Sequence, residues 1–203
     1  MQFKHIDNFY IRKNDPYTDP ETGVMYNRFG IKDQATLRDV ESTIIYVRSY
    51  ELMHIPIRGE FDLNHMKEIH RKLFGDVYEG AGKTRLVDIV KGNSMFASYN
   101  QIESYAPKIT QQLAKEYYLR GLDMDEFSQR AGHYMGELNA LHPFREGNGR
   151  TQREFMVQLA REAGYHINWK GIERQEMTRA SIEAHFGNSG YLSALIRQDL
   201  NLL

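Results

Sequence analysis

The sequence predicts a mainly α protein: one helical bundle built around a central helix–loop–helix, with a single β-hairpin laid against it. Three observations predict it. Apolar residues recur at three- and four-residue spacing through most of the 203-residue chain. One stretch, 84–98, instead carries Leu86, Val87, Ile89 and Val90 ahead of Lys91-Gly92-Asn93-Ser94, then Met95-Phe96, which reads as a hairpin with a Gly-Asn turn. The run 141–155, Leu-His-Pro-Phe-Arg-Glu-Gly-Asn-Gly-Arg-Thr-Gln-Arg-Glu-Phe, loosens the backbone with glycines between two apolar helical patterns. At 41% hydrophobic and 26% charged, the chain suits one domain able to bury roughly 70% of its unfolded surface.

Residues 1–32 read as an irregular arm packed on the body. Asp15-Pro16-Tyr17 and Asp19-Pro20-Glu21-Thr22-Gly23 are turn clusters, and Tyr10, Tyr17, Met25, Tyr26 and Phe29 are the expected anchors. The body, 33–203, opens with a helix over 33–52 carrying Leu37, Val40, Ile44, Val47 and Leu52 on one stripe. After a turn through Pro56 and Gly59, a helix over 63–74 follows, stopped at Gly75, with His70 near its apolar stripe as a hydrogen-bonded structural histidine. Beyond the hairpin a helix spans 100–120, with Pro107 marking a late start or a kink. Asp123 is the N-cap of the next helix, which buries Phe127, Ala131, Tyr134, Leu138 and Leu141 and delivers His142 at its end. A helix over 148–163 buries Phe155, Met156, Leu159 and Ala160, and two closing helices cover 172–186 and 190–200. His166 and His185 receive no role.

Composition excludes several classes. A net charge of -1 and the lack of a basic-aromatic stripe argue against direct nucleic-acid binding or an anionic membrane surface. There is no cysteine, hence no disulfide or thiolate chemistry, and no long apolar run that reads as an export signal or membrane span. Glu79-Gly80-Ala81-Gly82-Lys83-Thr84 imitates a phosphate-binding P-loop, but that pattern needs a glycine five positions before Gly82, where Val77 stands. Gly147-x-Gly149 is likewise no dinucleotide fingerprint, because Gln152 occupies the third glycine's place.

The chemistry gathers in 142–153. Gly147 and Gly149 free the backbone where a helix begins, so the N–H groups there form an anion site. Asn148 adds an amide. Arg150 and Arg153, three apart, share a helix face and can reach the same anion. Glu146 is a hard oxygen ligand suited to Mg2+ held against phosphates. His142 is the nearby group able to accept a proton near neutral pH. Direct metal ligation by His142 and Glu146 at i, i+4 is the rival reading, and Pro143 opposes the regular helix it needs. A base, a metal ligand and a polyphosphate cradle together imply nucleotide-transfer chemistry.

The run from His142 to Arg153 resembles the Fic-family signature His-x-Phe-x-(Asp/Glu)-Gly-Asn-Gly-Arg-x-x-Arg without a departure, and most of the chain resembles the Fic toxins of bacterial toxin–antitoxin modules and the Bartonella effector Fic domains. The resemblance implies the Fic fold and transfer of AMP from ATP to a protein hydroxyl. It implies His142 as base, Glu146 on Mg2+, Gly147, Asn148, Gly149 and Arg150 on the phosphates, Arg153 on the γ-phosphate, and Phe144 as a core anchor. It makes the hairpin a flap, with Lys91, Gly92, Asn93 and Phe96 at the substrate entrance, pairing with the target by strand addition; Phe96 could equally be core-packed. Many relatives carry an inhibitory Ser/Thr-x-x-x-Glu-(Gly/Asn). Here Glu79 and Glu146 are the glutamates preceding Gly or Asn, and four residues before them stand Gly75 and His142. The resemblance therefore implies a separate small antitoxin whose Glu blocks Arg153, and targets among type II topoisomerases or, for a secreted effector, small GTPases. The expected location is the bacterial cytoplasm or, after secretion, a host or recipient cell. UMP or phosphocholine transfer, phosphorylation, and a nucleotide- or partner-binding module without turnover remain competing readings.

Overall fold

The computed structural model describes residues 15–203 with their side chains, together with the backbone of 4–6 and 9–11. Seven helices make the body among these residues. They are α1 (Gln34–His54), α2 (Leu63–Phe74), α3 (Ile102–Lys115), α4 (Met124–Leu141), α5 (Asn148–Glu162), α6 (Arg174–His185) and α7 (Gly190–Asp199). Three of the starts are capped by an aspartate accepting from backbone N–H groups inside the first turn: Asp33 from Thr36, Asp62 from His65, and Asp123 from both Asp125 and Glu126. Each such cap is worth about 1 kcal/mol and fixes where its helix begins.

Helix α4 is the axis, and α3, α5, α6 and α7 pack around it. Its Phe127, Ala131, Tyr134 and Leu138 are buried, facing a core that includes Phe155 and Leu159 of α5 and Leu192 and Ile196 of α7. Gly132 lies inside α4, at a propensity cost of about 1 kcal/mol. A Cβ there would fall 2.2 Å from Ser193 Oγ of α7, so the glycine is what lets the two helices close.

The strands are short. β1 (Lys4–Ile6), β2 (Phe9–Ile11), β3 (Val90–Lys91) and β4 (Ser94–Met95) form one antiparallel sheet in that order. β3 and β4 are the expected hairpin, with Gly92-Asn93 as its turn. β2 pairs with β3, placing Phe9 opposite Lys91 and Tyr10 opposite Val90. A second pair, β5 (Tyr165–His166) with β6 (Asn201–Leu202), ties the C-terminus to the end of α5.

Several expectations are corrected. The arm is not irregular throughout, since it supplies β1 and β2. Its anchors include Val24, which is buried, Met25, packed against the core as expected, and Asp15 and Tyr17; Tyr26 and Phe29 are exposed, and the side chain of Tyr10 lies outside the described residues. Leu86 to Ile89 fall outside the strands. The helix expected to run to Arg120 ends at Lys115, because Tyr117, Tyr118 and Leu119 turn left-handed (φ 53°, 56° and 61°), a conformation no α-helix continues through. The β5–β6 pair was not foreseen: two residues per strand leave no alternation to read.

Candidate active site

His142 sits at the C-cap of α4 in the left-handed region (φ 45°, ψ 62°), its N–H bonded to Leu138 O at 3.1 Å. Such a backbone costs a non-glycine residue roughly 1–2 kcal/mol and persists only when its surroundings impose it. Arg85 imposes it. Its guanidinium, almost fully buried, donates to the carbonyls of His142 (2.8 Å), Leu141 (3.4 Å), Val87 (2.7 Å) and Ala97, and its own N–H donates to Pro143 O at 2.9 Å. One side chain thus rivets the base of the hairpin to the loop that follows α4. The sequence reading missed Arg85; a lone arginine between two apolar segments gave no signal of burial.

The imidazole is fixed on two sides. Its Nδ1 lies 3.2 Å from Asn139 O. A carbonyl only accepts, so Nδ1 carries the proton and Nε2 keeps a free lone pair. The ring of Phe96 stacks flat on it, and His185 meets the edge of Phe96 at 5.6 Å. Burial drives the His142 pKa down to about 3, helped by the charges of Arg85, Lys91 and His185 and opposed by the Asn139 carbonyl. At neutral pH the ring is an uncharged acceptor. Phe96 is therefore core-packed and at the site together. His185, given no role from sequence, stands behind it.

Loop 142–147 is braced from beneath. Phe144, fully buried, stacks on His70 (centroids 4.0 Å apart), which stacks on Phe74 (4.7 Å). His70 Nδ1 accepts from Gly82 N–H at 2.8 Å, so Nε2 bears the proton and donates to Glu146 O at 3.0 Å. Burial holds the His70 pKa down at about 4. The false P-loop is explained as well: its Gly82 amide is spent on a histidine. Asn148 makes both of its side-chain bonds to Phe144, accepting from N–H at 2.9 Å and donating to O at 2.7 Å. Its amide braces the loop, while its backbone N–H stands at the start of α5.

Gly147 is the N-cap of α5 at φ 77°, and a Cβ there would fall 2.3 Å from the Phe74 ring. Glycine has no side chain to cap the helix, so the first N–H groups of α5, at Asn148, Gly149 and Arg150, are left for an anion. Arg150 donates to Glu41 of α1, which also accepts from Tyr78 Oη, and lies over Phe74 at 4.7 Å. Arg153 makes no ion pair with a described residue, and burial and then the charge of Arg150 lower its pKa. Of these two guanidiniums, Arg150 alone is paired with a described carboxylate. That imbalance is what a polyphosphate would neutralise.

Glu146 is half-buried, with Oε1 3.2 Å from Arg145 Nη1. Burial raises its pKa; Arg145 pulls it back and Glu41 adds to the rise. The described residues contain no group of three or more His, Asp or Glu that could hold a metal unaided. One carboxylate fits Mg2+, which takes one or two carboxylates and completes its shell with substrate phosphates and water. Lys91, Gly92 and Asn93 are exposed at the hairpin turn, and the charge of Lys91 reaches both His142 and Glu146.

A neutral imidazole at the end of one buried helix and uncapped N–H groups at the start of the next are joined by the short loop 142–147, an arrangement whose donors suit an anion. The chain belongs to the Fic/DOC family, whose model matches residues 60–160. It is 74% identical to protein adenylyltransferase VbhT of Bartonella schoenbuchensis over 94% of its own length and 40% of that protein's. It therefore spans well under half of that relative. It is 39% identical to a probable protein adenylyltransferase Fic of Escherichia coli, covering 89% of this chain and 88% of that one. The crystal structure of BepC from Bartonella tribocorum, a VirB-translocated effector with bound AMPPNP, matches with a TM-score of 0.86 and 28% identity, over 93% of this chain and 97% of that one.

Proposed function

We propose that this chain is a protein adenylyltransferase that moves AMP from ATP to a hydroxyl side chain of a target protein. One observation carries the reading: His142 offers a neutral Nε2 at the end of α4, while α5 opens with unfilled N–H groups and an underneutralised arginine pair. The names of VbhT and its E. coli relative, and the nucleotide analogue in BepC, support it.

Nε2 takes the hydroxyl proton as the oxygen attacks the α-phosphorus. The new O–P bond forms as the bond from the α-phosphorus to the bridging oxygen breaks, and pyrophosphate leaves. Base assistance of this kind is worth roughly 10²–10⁴ in rate. The α5 N–H groups from Asn148 to Arg150 and the Gly147 N–H bind phosphate oxygens. Arg150 steadies the departing pyrophosphate and Arg153 holds the γ-phosphate. Glu146 would hold Mg2+, which would supply charge neutralisation on the α- and β-phosphates.

The partners extend the same reading. The target is a type II topoisomerase in a toxin setting, with a separate antitoxin placing a Glu on Arg153. The Bep relatives' description as VirB-translocated effectors supports a second setting, delivery by translocation; in that setting the target is a small GTPase. No helix among the described residues is long and apolar enough to cross a membrane.

The test is labelling with α-³²P-ATP in bacterial and animal lysates. Wild type labels a protein in one of them, and His142→Ala labels none while still binding ATP. Undiminished labelling by His142→Ala would remove His142 as the base.

A further inference from the structure

The arm enters the site at one corner. The carboxylate of Asp15 is nearly buried, and its Oδ2 accepts from Arg145 Nε at 3.1 Å and Nη2 at 2.7 Å. The remaining nitrogen, Nη1, donates to Glu146 Oε1 at 3.2 Å. A chain of carboxylate, guanidinium and carboxylate therefore runs Asp15–Arg145–Glu146. Asp15 is itself held: its Oδ1 accepts from Tyr17 N–H at 3.1 Å, and Tyr17 Oη accepts from Leu86 N–H at 3.0 Å. Arg145 occupies a position that the Fic signature leaves open to any residue, so the signature gives no reason to look there.

We propose that Asp15 is a positioning residue for Glu146, acting through Arg145. The inference rests on the reading of Glu146 as the Mg2+ ligand. A buried guanidinium facing a single carboxylate closes on it with two parallel bonds. Asp15 prevents this by occupying two of the three nitrogens. Glu146 then gives Arg145 one oxygen, and Oε2, which makes no hydrogen bond to a described residue, stays available to a hard cation. Residues outside the ligand shell that orient a ligand in this way commonly change metal affinity 10- to 100-fold.

The experiment titrates Mg2+ into the 203-residue chain with AMPPNP by calorimetry, with thermal melts alongside. Asp15→Asn is expected to raise the Mg2+ half-saturation about tenfold while metal-free AMPPNP affinity holds. Asp15→Glu restores it. The double variant Asp15→Asn/Arg145→Gln also recovers, because no guanidinium remains to capture Glu146. It carries the test if Asp15→Asn does not fold, since it leaves no lone buried charge. A wild-type half-saturation in Asp15→Asn overturns the proposal. So does a double variant as impaired as the single one, the result a purely structural arm would give. If Glu146→Gln responds to Mg2+ as wild type does, the metal reading of Glu146 falls and this inference with it; the other failures leave that reading standing.

Discussion

The ring of Phe96 covers one face of the His142 imidazole, centroids 3.7 Å apart and planes 14° apart. Phe96 directly follows β4, so the hairpin and the imidazole share one stacked contact. The stack covers one face of the ring and fixes its plane. Phe96→Ala should raise the His142 pKa from about 3 toward the usual 6.5, because desolvation is its largest cause. A histidine NMR titration reads that shift directly. At pH 7 most of the ring stays neutral, so the accompanying loss of transfer rate, about tenfold or more, reports lost orientation rather than lost base.

Arg85 is the second point of attachment. Lysine cannot span the carbonyls of Leu141, His142, Val87 and Ala97, so Arg85→Lys leaves buried acceptors unpaired. The expected loss is about 3 kcal/mol, or a drop in Tm of roughly 10 °C for a chain of this size, measured by calorimetry. AMP transfer should fall further than stability alone accounts for, because the strained backbone at His142 loses its support.

Arg153 and Arg150 are not equivalent. Arg150 is paired with Glu41, whereas Arg153 pairs with no described carboxylate. Arg153→Ala should therefore weaken ATP about tenfold and leave AMP nearly unchanged, since a charged hydrogen bond is worth about 1.5–3 kcal/mol. Calorimetry with both nucleotides decides; equal losses for both would detach Arg153 from the γ-phosphate.

His70 predicts an acid limit. Its folded pKa of about 4 lies below the ordinary 6.5, so the unfolded chain binds the extra proton first. The stability contributed by the neutral ring is complete above pH 6.5 and is lost as pH falls toward 4, about 3 kcal/mol in all. His70→Gln should lower Tm at pH 7 and flatten its fall between pH 6.5 and 4, as thermal melts across that range will show.

The helices were legible because their stripes and aspartate caps are local, and α2 matches its sequence reading end to end. The 142–153 run was legible as a cluster because imidazole, carboxylate, glycines and arginines are contiguous. What escaped was non-local. Arg85 reaches loop 142–147 from 57 residues away, and Asp15 reaches Arg145 from 130. Nothing near either residue marks such a contact. For Asn148 the run gave no hint of the two short bonds to Phe144 that serve the turn.

The pairing of β2 with β3 gives the hairpin a polarity. Within the sheet order β1-β2-β3-β4 the β3 border is already taken by the chain's own first residues, and the outer rims are β1 and β4. β4 leads directly into Phe96. A guest peptide seeking main-chain bonds close to the imidazole therefore meets Ser94 and Met95 first, and to bond with Lys91 it must evict a resident strand.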